Sequence, residues 1–134
     1  MSSETLVTFA MPIHNPEGIV EASRLFVLPE DYVGSHEKTI SRMVCNPEEY
    51  MCYGTKGDTI GLSAIVNYFN EREEVDLLCQ WLKYLYEYRV PGKLPPLPIY
   101  YNAILTHQYE QDEKGIIVHE IGYNTYQRWL IILN

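Results

Sequence analysis

Residues 70–92, NEREEVDLLCQWLKYLYEYRVPG, come close to dictating their own structure. Asn70 is an N-cap residue, and Glu73 follows at the spacing of a capping box. Glu71, Glu73 and Glu74 place negative charge in the first turn, where the helix dipole favours it. Val90-Pro91-Gly92 ends the run, because proline removes a donor and disfavours helix in the residue before it. Two apolar stripes lie between. Val75, Leu78, Cys79, Leu82, Leu85 and Tyr86 follow the i, i+3, i+4 rule, and Leu77, Trp81, Tyr84 and Tyr88 form a second row. Glu73, Asp76, Gln80, Lys83 and Glu87 leave only a narrow polar face, so the helix needs partners around most of its circumference. Val75, Leu78, Leu82 and Leu85 are expected to anchor it to the chain's own sheet. Trp81, Tyr84 and Tyr88 either fill the core or join the tail in a protein-binding surface.

Upstream, Thr5–Met11 is apolar and β-prone and predicts a first strand. The turn formers of Pro12–Gly18 predict a connection, Ser23–Leu28 a second strand, and Ser35–Cys45 a capped helix ended by Asn46-Pro47. The loop that follows, PEEYMCYGTKGD, leads into a third strand over Thr59–Phe69. Downstream, PGKLPPLP reads as a stiff connector. Ile99–Glu110 and Gly115–Ile121 read as strands of a hairpin with its tip at Gln111–Lys114, and a helix over Asn102–Glu110 is the open alternative. Tyr123–Asn134 is expected to be a terminal helix capped at Asn124 or Thr125, too apolar over Trp129–Leu133 to stand alone. These elements predict one α+β domain over residues 1–134, a small mixed sheet packed against helices.

Composition narrows the function. A chain of 134 residues with 46% hydrophobic content can bury a core without staples. Its formal charge of −8 disfavours direct contact with nucleic-acid backbones or anionic membranes. Twelve tyrosines supply side chains suited to interfaces as well as cores. Cys45, Cys52 and Cys79 form no CxxC pair, which argues against a disulfide framework and for a reducing compartment. The N-terminus lacks signal-peptide character and no run is long enough to span a membrane. An intracellular setting, cytoplasmic or nuclear, is the expectation.

Catalytic motifs are missing from the sequence. Gly54–Asp58 lacks the Gly-Lys-Ser/Thr ending of a phosphate loop, and no serine sits in a nucleophile elbow. His107 and His119 approach each other if the hairpin forms. No HxxxH or HExxH spacing is present, however, and a strand would turn His119 and Glu120 to opposite faces, so ordinary histidines are expected. No cofactor, metal or enzymatic activity is predicted; a small enzyme, the third reading, would need His107, His119 and neighbouring acids to converge in a pocket. The aromatics carry more information: Trp81, Tyr84 and Tyr88 on one helix, with Trp129, Leu130 and Leu133 in the tail, are residue types enriched in interface hot spots.

Three stretches resemble a known family. Leu25–Val44 looks like a second strand, loop and small helix of the short BTB/POZ fold. Val75–Val90 is similar to its long aromatic-ended helix, and Leu97-Pro98-Ile99 to the segment before its last helix. That short form is the elongin C and Skp-type adaptor family. The resemblance implies a non-catalytic adaptor that binds a ubiquitin-like subunit, a cullin and an amphipathic helix of a substrate receptor. By position, Trp81, Tyr84 and Tyr88 would lie near the cullin- and box-binding surface, with Trp129, Leu130 and Leu133 lining an apolar groove. The loops over Asn15–Ala22 and Cys45–Ile65, and the insertion Tyr100–Gly122, depart from the family. A competing reading from charge and size is an acidic inhibitor or nucleic-acid-mimicking decoy, for example virus-encoded, whose acids cluster at Glu48-Glu49, Glu71–Asp76 and Glu110–Glu113.

Overall fold

A computed structural model describes residues 4–32, 40–54, 57–97, 102–109 and 115–132. Strand β1 (Glu4–Ile13) is followed by helices α1 (Pro16–Leu25) and α2 (Ile40–Cys45) and a 3-10 turn at Pro47–Tyr50. Strands β2 (Met51–Gly54) and β3 (Gly57–Asn67) precede helix α3 (Glu71–Glu87), and the chain closes with β4 (Ala103–Tyr109), β5 (Gly115–Gly122) and β6 (Thr125–Ile132). The architecture is α+β, as expected. The six strands run in the order β2-β3-β1-β4-β5-β6. Every pairing is antiparallel, so the sheet is not mixed.

Alternation along β1 sets the layers. Thr5, Val7, Phe9, Met11 and Ile13 are buried, whereas Leu6, Ala10 and Pro12 are exposed. A strand with period-2 burial presents one face to a core and the other to solvent. Register carries the buried face across the sheet to Leu105 and His107 on β4 and to His119 and Ile121 on β5. Both stripes of α3 are used: Val75, Leu78, Leu82 and Leu85 are buried, and so are Leu77 and Trp81. Asn70 caps the helix, its side chain accepting from the Glu73 amide at 3.2 Å. The helix ends at Glu87, before the proline, with the Tyr88 amide donating to the Tyr84 carbonyl.

Three elements differ from expectation, the first being Met51–Gly54, which falls in the stretch read as a loop and is strand β2, paired with β3. The predicted second strand, Ser23–Leu28, overlaps helix α1. Asn15 accepts from the Gly18 amide as an N-cap and Pro16 occupies the first turn. Those turn-forming residues are a helix start, and Ile19, Ala22 and Ser23 then form its buried stripe. The tail is also no helix. Asn124 adopts φ +56° in the tight turn between β5 and β6, a conformation asparagine tolerates better than most residues. Thr125–Ile132 then pairs with β5 along its whole length. Ala103–Tyr109 is strand, which removes the helical alternative. The hairpin tip Gln111–Lys114, Leu133 and most of the predicted turn-and-cap region before Ile40 lie outside the described residues.

Candidate functional site

The side chains with chemistry converge where the N-terminal turn of α3 meets β4, β5 and β6. His107 and His119 are diagonal neighbours on β4 and β5, with Leu105 opposite His119 and Ile117 opposite His107. Their Nε2 atoms lie 2.9 Å apart and their rings are stacked. Glu71, at the first position of α3, reaches over the pair, with carboxylate oxygens 3.5 Å from His119 Nε2 and 3.9 Å from His107 Nε2. Tyr126 Oη is 2.6 Å from His119 Nδ1, and Arg128 Nε donates to Glu71 Oε1 at 2.5 Å. Phe69 packs on the His107 ring at 4.9 Å between centroids.

The electrostatics follow from burial. Both histidines are shut off from solvent. Burial therefore pushes the His107 pKa down to about 4 despite the attraction of Glu71, and lowers that of His119 for the same reason. The hydrogen bond from Arg128 holds Glu71 below the ordinary carboxylate range. Burial raises the Tyr126 phenol. At neutral pH the cluster is thus two neutral imidazoles, a carboxylate, a phenol and a guanidinium. A 2.9 Å Nε2–Nε2 approach between neutral rings requires one to donate and the other to accept. Beside the cluster is a cleft of about 670 Å³, lined by Glu71 and Tyr126 and by Tyr68, Val75, Asp76 and Cys79 among others.

The hairpin does bring His107 and His119 together, as the strand reading allowed. Nothing in local spacing places residues 71, 107, 119 and 128 side by side, so the partnership of Glu71 and Arg128 with the histidines is visible only in the structure. Trp81 is fully buried, its indole N–H donating to Ser23 Oγ at 3.1 Å. Tyr84 donates to the Ala22 carbonyl at 2.8 Å and its ring meets Phe26 and Tyr88. The second stripe of α3 is therefore covered by α1 and the residues after it, not by the tail. Trp129 and Leu130 lie on β6, so no groove between two helices brings them to Trp81.

β6 has its own character. All eight of its residues are exposed. It forms one edge of the sheet, and among the described residues no strand pairs with its outer side. Tyr126, Trp129, Leu130, Ile131 and Ile132 are all large exposed apolar side chains, with Trp129 at 43% and Ile132 at 67% exposure. By register Trp129 and Ile131 share the open sheet face with Val118 and Ile116, while Arg128 and Leu130 project to the helix side opposite His119 and Ile117. Both faces of this edge strand are thus apolar over Trp129–Ile132. The opposite edge, β2, is only four residues long. Comparison of the chain with protein-family models, with curated proteins and with solved structures finds no match. No helix among the described residues is long and apolar enough to cross a membrane.

Proposed function

We propose that the chain is a non-catalytic protein–protein interaction module whose contact element is β6. The observation that carries this reading is one strand that is a sheet edge among the described residues, exposed along its length and apolar on both faces over Trp129–Ile132. Strands apolar on both faces belong to sheet interiors. Exposed edges are ordinarily blunted by lysine, proline or a bulge, and Arg128, the one charge on β6, is held by Glu71. The occupant that fits is an extended apolar segment of another protein that adds a strand to β6 and covers Trp129–Ile132. Fully burying one such side chain is worth roughly 1.5–3 kcal/mol, so four together supply a strong anchor.

In the finer form implied by the BTB/POZ resemblance, the partner is a substrate receptor, a cullin-like or a ubiquitin-like subunit, and an amphipathic helix meets Trp129 and Leu130. The test is the affinity of a captured partner for the wild-type chain and for the Trp129→Ser, Leu130→Ser double variant, at low and high salt. Loss of binding in the variant with little salt dependence is expected. Undiminished binding by the variant, with steep weakening in salt, would overturn the proposal in favour of an acidic decoy.

A further inference from the structure

We infer that Glu71, His107 and His119 form a binding site for a divalent transition-metal ion, with Zn²⁺ the best match. The three side chains offer one ligand atom each, all within 4.8 Å of one another. Two imidazole nitrogens and a carboxylate oxygen are the donors zinc takes, at ~2.0–2.2 Å in tetrahedral geometry, which places neighbouring ligand atoms ~3.3 Å apart. The two Nε2 atoms are 2.9 Å apart, Glu71 Oε1 is 3.5 Å from His119 Nε2 and its Oε2 is 3.9 Å from His107 Nε2, so a turn of the carboxylate brings one oxygen toward both rings. Three protein ligands leave a fourth position for water, and Glu71 opens onto the adjoining cleft, which provides an entry path.

The surroundings orient one of the two imidazoles. Metal-bound histidines need their other ring nitrogen oriented, and Tyr126 Oη sits 2.6 Å from His119 Nδ1, where it can accept a hydrogen bond from Nδ1–H once Nε2 turns to the metal. Ligation through both Nε2 atoms needs the ring that donates between them to shift its proton to Nδ1, so that both imidazoles stay neutral. Arg128 is the competitor. It holds both oxygens of Glu71, at 2.5 and 3.4 Å, yet its side chain is 45% exposed, so it can swing into solvent when a dication takes the carboxylate. The inference does not depend on the reading of β6.

The test uses the full chain stripped with a chelator, dialysed against Zn²⁺ for stoichiometry and against Co²⁺ for the visible absorption of a tetrahedral site. One ion per chain is expected. Glu71→Gln, which keeps an oxygen for Arg128, should weaken binding by more than the ~10–100-fold typical of outer-shell changes. His107→Asn and His119→Asn should do the same if they fold, while His14→Gln with Cys52→Ser leaves binding unchanged. Arg128→Gln should tighten binding severalfold. Absence of stoichiometric binding, binding that survives Glu71→Gln, or equal losses in Arg128→Gln and Glu71→Gln would overturn the assignment.

Discussion

Glu74 should make the protein less stable as pH rises from 5 to 8, and its replacement by glutamine should reverse this. The carboxyl is 2% exposed, inside the first turn of α3, and accepts a hydrogen bond from Tyr32 Oη at 3.0 Å. Burial dominates and, with Glu73 nearby, raises its pKa from 4.5 to about 7, although the Tyr32 hydrogen bond pulls the other way. The folded protein therefore holds this proton more tightly than the unfolded chain. The stability it confers is present below pH 4.5 and is lost as pH climbs to about 7. A tenfold change in proton affinity is worth ~1.4 kcal/mol, so ionised Glu74 costs roughly 3 kcal/mol at pH 8. A first-turn carboxylate regains up to ~1 kcal/mol from the helix dipole. Glu74→Gln keeps an acceptor for Tyr32 and removes the charge, so it should stabilise the protein by roughly 2 kcal/mol at pH 8 and by little at pH 5. Urea unfolding followed by tryptophan fluorescence at pH 5, 6, 7 and 8 measures the difference between the two proteins. A variant less stable at pH 8, or a difference independent of pH, would show that Glu74 is not a buried, proton-holding carboxyl.

Other changes test other parts of the structure. His107 works against Glu74. Because burial lowers its pKa to about 4, the stability it contributes is present above pH 6.5 and lost on acidification toward 4. A His107→Phe variant should flatten that acid limb in the same titration, and an unchanged limb would argue against a buried neutral imidazole. Trp81→Phe removes the donor to buried Ser23 and should cost about 1–3 kcal/mol in urea unfolding, while leaving Trp129 to report alone by fluorescence. Asn70→Ala removes the α3 cap and should cost about 1 kcal/mol, which differential scanning calorimetry would register as a lowered Tm.

Elements with strong local signals were legible. Asn70, the first-turn glutamates and the paired apolar rows defined α3, and β-prone runs located β1, β3, β4 and β5 within a few residues. Helix α1 was also written in the chain, as Asn15-Pro16-Glu17 followed by Ile19, Ala22 and Ser23, but the same residues serve as turn formers. For the tail, Asn124 fits both a helix cap and a tight turn, and Trp129–Leu133 lacks the alternation of a half-buried strand. Both faces of the strand are apolar over Trp129–Ile132, which hides it from a period-2 reading. The histidine cluster was half visible. A hairpin brings His107 toward His119, but only the sheet order and the entry of α3 bring Glu71 to them, and tertiary placement of that kind has no local spacing to announce it.

Partner binding at β6 is read most directly by amide hydrogen exchange in the complex with a captured partner. Strand addition predicts new protection of Thr125–Ile132, extending to the amides on its outer edge, with the acidic segments at Glu48-Glu49 and Glu71–Asp76 little changed. Unaltered exchange along β6 with protection confined to those acidic segments would contradict it.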